Sequence, residues 1–114
     1  MELWHNPRCS KSRAAKAILD DRSIAYHERR YLEQPPSVEE LDQVLTAMGK
    51  QPWEVARLGE DAARELDLRH WPQDRTRWLE AMIANPVLIE RPIVVTDDGR
   101  AVLGRPPEAI EALL

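Results

Sequence analysis

Strand signals gather at the two ends of this chain and helix signals fill its middle, and that division limits the folds open to it. Residues 1–5 are short and partly apolar, and they stop at Asn6-Pro7, where proline ends strand pairing. Ser10 or Ser12 can cap a helix running to about Asp21, with Ala15, Ile18 and Leu19 on its buried face. Between Ser23 and Tyr31, Ile24 and Tyr26 alternate with polar residues, which predicts a second strand. Strand, helix and strand in succession favour a parallel pair joined by a crossover helix.

The middle begins at the break Gln34-Pro35-Pro36. Ser37 followed by Glu40 is a capping box, opening a helix that contains Leu41, Val44, Leu45 and Met48 and stops at Gly49. Two more helical stretches fall near 60–67 and 74–84. Trp53, Trp71 and Trp78 are expected to fill the interface between this region and the sheet. Strand signals return at Pro92-Ile93-Val94-Val95-Thr96. A D-G turn at Asp98-Gly99 leads into Ala101-Val102-Leu103-Gly104. Pro106 suits the first turn of a last helix running to Leu114. This is the element order of an α/β, thioredoxin-like fold: a four-stranded mixed sheet with a helical insertion at about 35–88 between its halves. With no repeat, low-complexity tract or linker, residues 1–114 read as one domain. In such folds the proline before the third strand has a cis peptide bond beside the reactive thiol. Pro92 is expected to be that proline.

Composition narrows the function. The net charge of −4 gives no basis for binding nucleic acid or an anionic membrane in bulk. No apolar run approaches a membrane span, and Met1–His5 lacks the basic start and apolar run of a secretory leader, so the cytoplasm is the expected location. There is one cysteine, Cys9, which fits a reducing compartment and excludes an internal disulfide. Any redox chemistry at Cys9 therefore needs a second thiol from another molecule. His27 and His70 have no metal-ligand spacing with Cys9, and no zinc, nucleotide or P-loop signature is present. No metal and no bound cofactor are expected.

Cys9 lies in His5-Asn6-Pro7-Arg8-Cys9-Ser10-Lys11-Ser12-Arg13, at the mouth of the first helix. A helix N-terminus carries partial positive charge and unpaired N–H donors, and nearby cations add to it. Both effects lower a thiol from its ordinary pKa of about 8.5. The same donors can cradle an oxyanion. Arg13, one turn on, is the nearest downstream arginine. Two other thiol chemistries fail on spacing. A C-x-x-C dithiol would need cysteine at Ser12, and the phosphatase loop needs C-x5-R where this chain has C-x3-R.

The motifs H-N-P-x-C-x-x-S-R at His5–Arg13, R-P-I-V-V-T at Arg91–Thr96 and L-G-R-P-P-E at Leu103–Glu108 resemble those of the glutaredoxin-coupled arsenate reductase family. The resemblance runs nearly the whole length, helical insertion included. It implies that Cys9 is the nucleophile, that His5 helps hold the thiolate with Arg13, and that Arg57, Arg91 and Arg105 bind the substrate oxyanion. Arg64 or Arg69 could take the place of Arg57 if the insertion is shifted. Several always-charged, planar donors are what a tetrahedral oxyanion requires. The implied reaction is attack of the Cys9 thiolate on arsenate. Glutathione, the co-substrate, then attacks the adduct, and glutaredoxin, the protein partner, resolves the mixed disulfide as arsenite is released. Two other functions share the fold. One is an RNA polymerase-binding adaptor of the Spx type, whose C-x-x-C switch Ser12 would break. The other is a glutathione-dependent thiol reductase with a different substrate, which would use the same residues.

Overall fold

The computed structural model describes residues 1–114. Four short strands form the sheet: β1 (Glu2–Trp4), β2 (His27–Arg29), β3 (Ile93–Val95) and β4 (Ala101–Leu103). Their order is β2-β1-β3-β4. β1 runs parallel to β2 and antiparallel to β3, and β3 runs antiparallel to β4. The sheet is therefore mixed, and the fold is the thioredoxin-like α/β arrangement expected from the element order. Five α-helices accompany it: α1 (Ser10–Asp21), α2 (Val38–Met48), α3 (Pro52–Val55), α4 (Asp61–Leu66) and α5 (Arg75–Ala84). No helix is long and apolar enough to cross a membrane.

Side chains alternate across the strands, so β1, β3 and β4 each feed two cores. Leu3 and Val94 join Ala15 and Leu19 of α1 and Ile110 near the C-terminus. Trp4 and Ile93 face the other way. They meet Tyr31, Leu41, Val44 and Leu45, together with Trp78, Leu79 and Met82 of α5. The insertion thus covers one face of the sheet while α1 and the C-terminal segment cover the other. Trp78 is the centre of the insertion: Trp53 and Trp71 pack edge-on against it at 6.2 and 6.0 Å. Arg75 fastens α5 to α2, donating from Nε to Asp42 at 2.7 Å and from Nη1 to the Gln51 side chain at 2.7 Å.

Capping chemistry sets several boundaries as expected. Ser37 and Glu40 exchange both bonds of the capping box, and Gly49 takes the left-handed conformation (φ 69°) that closes α2. Gly99 (φ 87°) turns the hairpin between β3 and β4.

Other boundaries differ from the sequence reading. The cap of α1 is neither Ser10 nor Ser12. Cys9 itself occupies that position in extended conformation (φ −94°, ψ 125°), and Ser12 is drawn inward. β2 is three residues long, because Ile24 and Tyr26 pack against the α1-side core instead of pairing. The short helix α3 and the 3₁₀ segments Leu68–His70 and Pro86–Leu88 carry too few residues to show a period. The last helix, Pro107–Leu113, is 3₁₀ rather than α.

Candidate active site

The loop after β1 and the start of α1 carry the thiol, and the segment before β3 brings Arg91 to it. The loop after β1 is tied by its own polar groups. The Asn6 carbonyl accepts from the Cys9 N–H at 3.0 Å, and the Asn6 side-chain oxygen accepts from the Arg8 N–H at 3.0 Å. Ser12, fully buried, anchors the loop from below. Its hydroxyl accepts from the Asn6 N–H at 2.9 Å and lies 2.8 Å from His5 Nδ1. The position where a dithiol motif would carry its second sulfur is thus a buried structural hydroxyl.

Burial alone would push the Cys9 thiol up. The backbone N–H of Ser12, the Arg91 guanidinium and the backbone N–H of Lys11 outweigh it, and the pKa falls below the ordinary cysteine value. Cys9 is half-buried, so its sulfur remains within reach of a reactant. His5 and Arg13 are engaged elsewhere. His5 is buried, and desolvation is the largest influence on it, outweighing Glu28 and lowering its pKa below 6.5. Burial thus disfavours its charged form, and its ring holds Ser12. Arg13 donates from Nη1 to the Pro7 carbonyl at 3.0 Å and braces the loop.

The three arginines named from the sequence converge from separate segments. Arg57 follows α3, where a single antiparallel bridge pairs Ala56 with Ile89. The Arg57 N–H donates to the Leu88 carbonyl at 2.8 Å and the Glu90 N–H to the Val55 carbonyl at 3.0 Å. That bridge sets Arg57 beside Glu90, with Nη1 to Oε1 at 2.9 Å. Arg57 also donates from Nε to Glu60 at 3.0 Å. Arg105 reaches the same Glu90 oxygen at 3.4 Å and donates to the Arg91 carbonyl at 3.2 Å. Arg64 and Arg69 lie elsewhere: both are exposed, and they line a separate depression with Leu58, Ala63 and Asp67.

Arg91 and Arg105 are held together by their neighbours. The peptides Arg91–Pro92 and Arg105–Pro106 are both cis. The Gly104 N–H donates to the Pro92 carbonyl at 2.8 Å, and a β-carbon on Gly104 would lie 2.9 Å from the Pro92 ring. Only glycine permits that approach, which keeps Arg105 next to Arg91. The Arg91 Nε is buried and has no acceptor among the protein's own groups. A buried donor without a partner is uncommon in folded proteins.

Two participants went unrecognised in the sequence. Glu90 is the acid on which Arg57 and Arg105 meet. Tyr31 is a buried phenol at the end of β2. Burial pushes it up to about 12 against the pull of Arg91 and Arg57, and the charges of Cys9 and Glu90 add to the rise. Tyr31 thus lies within electrostatic reach of Cys9, Arg91, Arg57 and Glu90. A cleft of about 440 Å³, lined by Ala56, Arg57, Leu58, Gly59, Glu60 and Glu90, opens from the arginine side.

The chain is similar to known proteins over nearly its whole length. The family model described as "ArsC family" matches residues 4–113. An arsenate reductase of Neisseria meningitidis is 41% identical over 115 residues, covering 100% of this chain and 97% of that protein. An uncharacterized protein from the glnII region of Streptomyces viridochromogenes is 45% identical over 117 residues, covering 100% and 98%. Among solved structures, an arsenate reductase from Vibrio cholerae superposes with a TM-score of 0.92 at 40% identity, covering 100% of this chain and 98% of that one. A putative arsenate reductase from Yersinia pestis gives 0.90 at 42% identity, with 97% of each chain covered. Sequence and fold agree, and the chain belongs to the ArsC family.

Proposed function

We propose that this protein is an arsenate reductase that draws its electrons from glutathione and glutaredoxin, in the cytoplasm. One observation carries the reading: Arg57 and Arg105 meet on Glu90, the residue before Arg91, and the Arg91 guanidinium lies against a single thiol that is held below its ordinary pKa. The convergence supplies charge for a tetrahedral oxyanion, and the buried Arg91 Nε supplies a donor in need of an acceptor. The names of the Neisseria and Vibrio relatives support arsenate as that oxyanion.

The Cys9 thiolate attacks arsenic. A sulfur–arsenic bond forms, an arsenic–oxygen bond breaks, and the departing oxygen leaves as water after taking a proton. Arg57, Arg91 and Arg105 hold the remaining oxygens and offset the charge that builds on them. A glutathione thiolate next attacks the Cys9 sulfur. The sulfur–arsenic bond breaks with its electron pair staying on arsenic, which leaves as arsenite. Cys9 is now a mixed disulfide with glutathione. A glutaredoxin thiol takes the glutathionyl group and returns Cys9 to the thiolate. With one cysteine in the chain, both reducing thiols must come from outside.

The test is a coupled assay containing arsenate, glutathione and glutaredoxin. The intact protein turns over arsenate, and Cys9→Ser lowers the rate to background. Turnover that survives in Cys9→Ser, or none in the intact protein, contradicts the proposal.

A further inference from the structure

We propose that Glu90 makes the site selective for oxyanions that carry a proton and sets it against those that carry none. The proposal rests on the oxyanion reading above and assigns specificity to a residue within that site.

The geometry is asymmetric. Glu90 Oε1 accepts from Arg57 Nη1 at 2.9 Å and from the Arg91 backbone N–H at 3.3 Å, and it lies 3.4 Å from Arg105 Nη1. Glu90 Oε2 has no hydrogen-bond donor from the protein. The side chain is one-quarter exposed and borders the cleft. One oxygen therefore holds the arginines in place, and the other is an unused acceptor at the point to which they draw an anion.

An ionised carboxylate can only accept. An anion held by Arg57 and Arg105 sets one of its oxygens near Glu90. If that oxygen bears hydrogen, it donates a short, charge-assisted bond to the carboxylate. If it bears none, two anionic oxygens face each other in a partly dehydrated site, and the interaction is repulsive. Hydrogen arsenate and hydrogen phosphate carry such a proton, and sulfate does not. At mildly alkaline pH, hydrogen phosphate and sulfate have the same double charge and the same tetrahedral shape. The arginines alone have little basis to separate them, and Glu90 does. Arsenate and phosphate pass this filter alike, so only reaction with the thiol distinguishes those two.

Protection of Cys9 from iodoacetamide by phosphate or sulfate, at mildly alkaline pH, tests the proposal without requiring turnover. In the intact protein the half-protective concentration of sulfate is expected to exceed that of phosphate by about tenfold or more, the value of one charge-assisted hydrogen bond. In Glu90→Gln, whose amide can donate as well as accept, sulfate improves by about tenfold and phosphate by less than about threefold, which closes the gap. Glu60→Gln removes the same charge from the other partner of Arg57 and leaves the gap in place. Equal protection by the two anions in the intact protein overturns the proposal even if Glu90→Gln fails to fold. So does an equal improvement for both anions in Glu90→Gln, or a gap closed as far by Glu60→Gln. Absence of protection by either anion overturns the oxyanion reading as well.

Discussion

Replacing Arg91 by alanine will lower the rate constant for arsenate turnover by about a hundredfold or more and raise the pH at which Cys9 becomes reactive. The two effects share one cause. Burial raises the Cys9 pKa, and the Arg91 guanidinium is one of the groups that reverse it. Without it, the N–H groups of Ser12 and Lys11 oppose desolvation with less help. The sign follows from the thiolate being the nucleophile. Reactivity is full above the folded-state pKa and lost as pH falls through it, so raising that pKa moves the loss to higher pH. Stopped-flow alkylation across pH measures the thiol, and the coupled assay measures turnover. Arg91→Lys keeps a charge but not the planar fork, so its thiol titration should lie between wild type and alanine while turnover stays low. Unchanged titration in Arg91→Ala would mean that the helix N-terminus alone sets the thiol.

The second large effect is on stability. Trp78→Ala should cost about 3–5 kcal/mol, the range for removing a large buried aromatic. Trp78 is 3% exposed, holds Trp53 and Trp71 edge-on, and donates from its indole N–H to the Pro72 carbonyl at 2.9 Å. Most domains have only about 5–15 kcal/mol in total, so the midpoint of urea unfolding should fall sharply with little change in slope. Arg57 depends on the same insertion for its position, so oxyanion affinity should drop under conditions where the variant is still folded. The Cys9 titration should change less, because α1 packs on the opposite face of the sheet with Leu3, Val94 and Ile110. A loss below about 1 kcal/mol would mean that the tryptophan cluster lies outside the cooperative core.

What the sequence made legible follows from the range of the physical signal. Proline after β1, the Ser37–Glu40 box, Gly49, the β-branched run at 93–95 and the D-G turn are local rules, and the elements stand where those rules place them. The lone cysteine at a helix mouth is also a local signal, and it is lowered as a helix N-terminus should lower it. The failures occur where a long-range contact decides. Ser12 is a good cap in isolation, but His5 and the Asn6 N–H claim its hydroxyl, and Cys9 is left at the cap position. The nearby cation Arg13 turns to the Pro7 carbonyl, while the distant Arg91 reaches the thiol. Glu90 looks like any acid preceding a strand. Only the one-residue bridge between Ala56 and Ile89, too short to leave a pattern, brings it against Arg57.

The most direct test of the whole account is the rate of Cys9 alkylation in the wild-type protein across pH, with and without arsenate and with no reducing thiol present. The account predicts a midpoint below that of an ordinary cysteine and a rate slowed by arsenate in a saturable way. A midpoint at or above the ordinary value, together with a rate indifferent to arsenate, would contradict it.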